Sequence, residues 1–188
     1  MRVNTPRHRG RAFCREAGIV VLAVVGFALS AQVDLPMRPV PFTMQTAVVF
    51  SFAMAVRPRL AVCATAAYFL AAVVGLPVLS GWSSFAESGL LEAKTAGYVL
   101  AFVPAAYGLA CAARSPGVYR FVPATFAAIV AHSGVLAVGA AWLSVHIGVG
   151  PAWTYGVRPF LVAGFLKSLM VGAFVVRGVR PLRFPTKR

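Results

Sequence analysis

Charge is scarce in this sequence: 12% of its residues are Asp, Glu, Lys or Arg, while 60% are hydrophobic. A chain of 188 residues with so little polar surface cannot coat a soluble globule, which makes the bilayer its natural solvent. Acidic residues are rarest, four against eighteen Lys and Arg, and leave a formal net charge of +14. That excess does not point to nucleic acid. Binding a phosphate backbone takes basic residues clustered on one solvated face beside aromatics or a reading helix, whereas here they punctuate apolar runs. Lipid headgroups account for that pattern. Cysteine is also sparse: Cys14, Cys63 and Cys111 stand far apart, with no CxxC spacing and no neighbouring histidine pair. They read as small apolar or interfacial residues, and no metal site or cofactor is expected. A P-loop is missing too, because Lys167-Ser168 has no glycine-rich loop before it, so this chain cannot hydrolyse ATP in that way.

What remains is a series of apolar runs broken by Pro, Gly and charge: 17–33, 42–56, 60–79, 95–113, 121–147 and 159–176. In a bilayer every backbone polar group must be satisfied within its segment, so each run reads as a helix. The fold class expected is an all-α integral membrane protein of about six transmembrane helices. Several runs fall short of a full span of roughly 20 residues, which suits tilted helices or helices that end beside a water-filled pocket. The run 121–147 contains Pro123, Gly134 and Gly139, and reads as a kinked span with an interfacial extension. Residues 1–16 form a basic segment, 17–176 the membrane domain and 177–188 a basic tail. The basic N-terminus before an apolar run raises a signal peptide, but no small-x-small site gives way to a soluble domain, so the run is expected to be a retained first helix.

Orientation follows from the loops. With the N-terminus inside, the inner segments hold Arg2, Arg7, Arg9, Arg11 and Arg15, then Arg57 and Arg59, then Arg114 and Arg120, and finally Arg177, Arg180, Arg183, Lys187 and Arg188. The outer loops keep Asp34, Glu87 and Glu92. The positive-inside rule therefore places both termini in the cytoplasm, in the cell (inner) membrane. Four basic residues fall outside this scheme: Arg38, Lys94, Arg158 and Lys167.

Lys167 lies well inside an apolar run, where an ionisable group is expensive and is retained for a ligand or partner more often than for snorkelling. Arg158 and Lys94, at helix ends, read first as headgroup anchors and second as groups that steer a ligand carboxylate. After the first helix, Pro36, Pro39 and Pro41 hold the chain extended and release it into a helix whose first turn carries Thr43 and Gln45. Those two side chains can cap that helix or bind a polar ligand. Trp82, Tyr98, Trp153 and Tyr155 fall at the outer boundary, where an aromatic belt is expected. His132 and Ser133 are adjacent in sequence and so do not face each other on a helix, and Ser83-Ser84 lacks a GxSxG elbow. A small intramembrane hydrolase using Ser133 or Ser83 is the rival reading, and a purely structural helical subunit a further one.

Val40-Pro41-Phe42-Thr43-Met44-Gln45 resembles the VPxTxQ signature of the BioY family, the biotin-binding components of energy-coupling-factor (ECF) importers. Tyr68 with Gly75-Leu76-Pro77-Val78 is similar to that family's Y…GLPV stretch, and Thr95-Ala96-Gly97-Tyr98 with Phe102 to its GPTGGY segment. Arg158-Pro159-Phe160-Leu161 with Lys167 resembles its PFxxGDxxK segment. The motifs run in order from Val33 to about Met170. The resemblance implies an ECF S-component-like bundle that takes up biotin or a close analogue, with no catalytic residues and no ATPase of its own. Its substrate-binding set would be Lys167, Gln45, Thr43, Tyr98, Gly97, Trp82, Lys94 and Arg158. It further implies closure of the outer loop 80–92 over the ligand, and partners comprising a transmembrane coupling protein with two ATPase subunits. That protein would engage the first three helices, where Gly26 and Ser30 form the nearest small-xxx-small pair. Two departures stand out: Ala93-Lys94 replaces the start of GPTGGY, and Gly164 replaces the aspartate three residues before the lysine. The missing carboxylate leaves three outcomes open: another acceptor such as Gln45 or an outer-loop carboxylate, a related ligand, or weak biotin binding.

Overall fold

The computed structural model describes residues 6–177, with side chains from Phe13 onward except Pro116. The basic side chains up to Arg11 and the tail from residue 178 lie outside the described residues. Among the described residues there are eight α-helices: α1 (Pro6–Ala31), α2 (Gln45–Ala55), α3 (Pro58–Val73), α4 (Ala96–Leu100), α5 (Phe102–Ala112), α6 (Phe121–Ile147), α7 (Val149–Gly156) and α8 (Arg158–Val176). α4 and α5 meet at Ala101, itself in helical conformation, and form one apolar run, Ala96–Ala112; α7 and α8 likewise form Val149–Val176. The architecture is therefore six helical runs of an integral membrane protein. Among the described residues three are long and apolar enough to cross a membrane, Phe13–Ala31, Phe121–Ile147 and Val149–Val176, while the rest are shorter. α2, with 11 residues, spans only about 16 Å at 1.5 Å per residue.

The boundaries differ from the sequence expectation where backbone chemistry intervenes. α1 starts at Pro6, ahead of the expected residue 17, because the basic segment continues the helix. The third run stops at Val73 instead of 79. Gly75, at φ +96°, takes the left-handed position after the helix, and Leu76 N–H returns to Ala71 C=O at 2.9 Å, closing a Schellman-type end. The run 121–147 is one uninterrupted α-helix: Pro123 falls in its first turn, where a missing N–H costs no helical bond. Only at Gly148, with φ +84° and ψ +161°, does the chain reverse into α7. That backbone region is essentially reserved for glycine.

Apolar burial gives little drive between helices already in lipid, so the bundle closes through small residues that let backbones approach. Ala53, Ala61, Ala64, Ala106, Ala124 and Ala128 are fully buried. Gly97 lies flat against Trp142, Gly139 against the Tyr98 ring, and Gly172 against Thr125, so a Cβ at any of the three would overlap its neighbour. Larger side chains fill the centre. Phe27 of α1 meets Phe52 of α2 and Tyr68 of α3 edge-on at 5.5 and 5.9 Å. Ala55 and Arg177 border one groove, and Phe121 packs beside Gly172, which gathers the C-terminal ends of α2 and α8 with the N-terminal end of α6 at one end of the bundle.

Candidate ligand-binding cavity

At the opposite end lies a cavity of about 200 Å³ above the N-terminus of α2. Its position follows from the proline-rich entry to that helix. Asp34–Leu35 pairs antiparallel with Phe42–Thr43, placing Asp34 opposite Thr43 and Leu35 opposite Phe42, and Met44 N–H closes onto Val33 C=O at 2.9 Å. Thr43 is thus in a strand and not in the first helical turn, and Met44 takes the N-cap position without a side-chain cap bond. What Thr43 offers Lys167 is its carbonyl.

Lys167 is 6% exposed, and its Nζ donates to Thr43 C=O at 2.5 Å while lying 4.1 Å from the Phe42 ring centroid. Phe42 in turn stacks on Phe160 at 6.1 Å. An ammonium has three donors, so one carbonyl leaves it with hydrogens to give. Gln45 donates its amide N–H to the Tyr68 hydroxyl, which passes a hydrogen to Val78 C=O at 2.8 Å. This relay pins the Gly75–Val78 loop against the start of α2. Tyr98 donates to Gly156 C=O at 2.9 Å and so ties α4 to α7. Gln45, Thr43, Tyr98 and Lys167 all line the cavity, together with Thr46, His132 and Gly164 and a wall of Val40, Leu79, Val99, Phe102, Val135, Leu136 and Phe160.

The other four expected site residues are placed elsewhere. Gly97 is buried against Trp142, where its lack of a side chain serves α4–α6 contact. Trp82 is 56% exposed, and its backbone N–H donates to Gln32 Oε1 at 3.1 Å. Lys94 is exposed and borders a separate hollow with Glu87 and Glu92. Arg158 is exposed in the first turn of α8. All four adjoin motifs that do reach the cavity, but none of them is in its lining.

Two cavity residues carry signals that the sequence reading passed over. His132 and Thr46 each present a buried side-chain atom, Nε2 and Oγ1, with no hydrogen-bond partner. Buried polar atoms are nearly always paired, so an orphan on a cavity wall marks a position that a ligand can satisfy. No carboxylate lines the cavity, and the outer-loop candidate Asp34 accepts a hydrogen bond from Ser80. Among the described residues the serines of the rival hydrolase reading gain no base: Ser133 is exposed, Ser83 donates to Ser80 C=O at 2.8 Å, and neither His132 nor His146 bonds to them.

A sequence model of the BioY family matches residues 4–184. The chain is 29% identical over 154 residues to a protein named as a probable biotin transporter BioY from Pyrococcus horikoshii, covering 82% of this chain and 90% of that one. It is 28% identical over 164 residues to the biotin transporter BioY of Thermotoga maritima, covering 86% and 92%. Against Lactococcus lactis biotin transporter BioY2 the identity is 27% over 171 residues, covering 90% and 92%. A crystal structure of the S-component for biotin from an ECF-type ABC transporter superposes with a TM-score of 0.74 over 93% of this chain and 94% of that chain, at 18% identity.

Proposed function

The chain belongs to the BioY family, and from that premise we propose that it captures biotin in the cavity above α2 as the substrate-binding S component of an ECF-type importer. The observation that carries this reading is the composition of the cavity. A buried ammonium and two unpartnered polar atoms lie on walls that combine aliphatic and aromatic side chains with Thr43, Gln45, Ser80, Ser83 and Thr95. Such a pocket suits a bicyclic ligand with one strongly polar edge and an apolar body. Biotin has that form, with a ureido ring, a sulfur ring and an alkyl chain. Lys167 donates to the polar head, Thr43 fixes the ammonium, and Gln45 and Tyr98 brace the helix ends around it. Lys94 and Arg158 act as headgroup anchors.

The relatives it matches are named transporters. In this reading the protein turns over no substrate, and the energy for release comes from a coupling protein with two ATPase subunits. Positive charge at Arg57, Arg59, Arg114, Arg120 and Arg177 puts the end opposite the cavity, and both termini, in the cytoplasm of a cell (inner) membrane protein. The cavity then opens outward, beneath the loop 80–92. Retention of radiolabelled biotin by the detergent-solubilised protein tests the reading directly. Stoichiometric binding without turnover is expected, and no retention of biotin overturns it. A reporter fused after Arg188 should be active in the cytoplasm; external activity would reverse the topology.

A further inference from the structure

One of the two unpartnered cavity atoms has no specific ligand partner in the capture reading: Nε2 of the His132 imidazole on α6. Its Nδ1 lies 3.2 Å from Ala128 C=O and 3.0 Å from Ser168 Oγ. Ser168 Oγ already donates its single hydrogen to Gly164 C=O at 2.7 Å, and a carbonyl has none to give. With that hydrogen on Gly164 C=O, a hydrogen on Nδ1 is the arrangement that satisfies both neighbours. A second hydrogen on Nε2 would create another cation in the cavity of Lys167, with no carboxylate in its lining to balance either. Nε2 is left as a bare lone pair, buried and without a partner, in a residue only 7% exposed. Phe50 packs edge-on against the ring at 4.5 Å and, with the two contacts of Nδ1, holds it in place.

We propose that His132 Nε2 is the hydrogen-bond acceptor for a ligand N–H, and that it sets specificity for ureido-type ligands in this protein. The inference rests on the biotin reading and extends it. Lys167 can only donate, so on its own it recognises a carbonyl and is indifferent to an N–H beside it. A ureido ring offers both, a carbonyl flanked by two N–H groups. His132 and Lys167 supply the complementary pair from facing helices. A Cβ at Gly164 would meet Cδ2, Cγ and Cβ of His132 at 3.5 to 3.7 Å, so the missing side chain spares the acceptor a neighbour that would crowd it.

The test uses the full-length protein in detergent, with equilibrium binding of biotin and of the two biotin derivatives singly methylated on a ureido nitrogen. The wild type should bind biotin at least tenfold more tightly than one of the methylated forms. His132→Phe, which keeps the ring shape and the Phe50 contact, should bind biotin about tenfold to a hundredfold more weakly. His132→Gln, which carries an amide at the height of Nε2, should stay within about threefold of the wild type. Equal affinity of the wild type for all three ligands, an unchanged biotin affinity in His132→Phe, or an equal loss in both variants overturns the assignment of His132 and leaves biotin capture standing. Failure of the wild type to bind any of the three overturns biotin capture itself. The methylated ligands need no mutation, so the test holds even where a variant does not fold.

Discussion

Gly164 and Gly172 stand two turns apart on α8 and both face α6, yet they do opposite things. At Gly172 a Cβ would overlap Thr125 Oγ1 and come within 3.1 Å of Phe121 C=O, so the absent side chain is what lets the helices touch. At Gly164 the nearest atoms, those of the His132 side chain, stay at ordinary van der Waals distance, and the absent side chain leaves a hollow. Each glycine sits beside an unpartnered polar atom, Thr125 Oγ1 in the sealed region and His132 Nε2 on the cavity wall. The same residue type therefore closes the bundle at one level and opens it at the next. What separates the two levels is the partner across the interface: a short hydroxyl with nowhere to go at one, a ring held edge-on by Phe50 at the other.

The largest effect is expected in the sealed region. Gly172→Val places a branched side chain where not even a Cβ fits. Overpacking of this kind costs about 1 to 3 kcal/mol, occasionally more. Thermal unfolding in detergent should show a clear drop in midpoint and in folded yield, and a midpoint equal to that of the wild type would mean that α6 and α8 separate freely at this level. Next comes Lys167→Met, which removes the only charge in the cavity lining while keeping its length. A hydrogen bond to a charged group is worth about 1.5 to 3 kcal/mol, so biotin affinity should fall about tenfold to a hundredfold. Membrane insertion should be unimpaired, because a buried cation has been taken away. Full affinity in the variant would reduce Lys167 to a structural tie to Thr43.

Lys167 was legible in the sequence because charge inside an apolar run is expensive wherever it lies, whatever tertiary contacts it makes. The six apolar runs were legible for the same reason. The proline-rich entry to α2 announced a change of direction, but the pairing of Phe42–Thr43 with Asp34–Leu35 depends on a turn whose closure the residues do not spell out, and Thr43 fell in the strand. His132 was passed over because a lone histidine in an apolar helix is ordinarily a packing residue. Its orphan nitrogen emerges only when Ser168 and Gly164 arrive from 36 and 32 positions away. Trp82, Lys94, Arg158 and Gly97 show the converse: they lie in or beside the same motifs but do not line the cavity. A motif fixes a segment's neighbourhood, whereas the direction of each side chain is set by helix rotation and by loop torsions such as those at Gly81 and Trp82, both at positive φ.

Thr125→Val tests the sealed level more gently. The hydroxyl has no partner, so a methyl of similar size removes a desolvated polar atom without changing the shape pressed against Gly172. A small gain of about 1 kcal/mol is expected, seen as a modest rise in the unfolding midpoint. A fall would show that the hydroxyl finds a partner in the membrane-embedded protein.

The smallest effect, and the sharpest contrast, is expected from Gly164→Ala. In a helix interior alanine is favoured over glycine by roughly 0.5 to 1 kcal/mol, because glycine gives up more backbone freedom on folding. That gain is realised only where the methyl fits, and at 3.5 to 3.7 Å from the His132 side chain it does. The unfolding midpoint should therefore hold or rise slightly, against a fall for Gly172→Ala, whose methyl must displace Thr125. Binding should respond the other way. The new methyl enters the cavity beside the imidazole and narrows the approach to Nε2, so biotin affinity should weaken by a few-fold while the fold is, if anything, firmer. If Gly164→Ala instead loses stability as Gly172→Ala does, then α8 is packed at both levels and there is no hollow at residue 164. If it gains stability with no change in affinity, the hollow exists but the ligand does not approach His132 past Gly164.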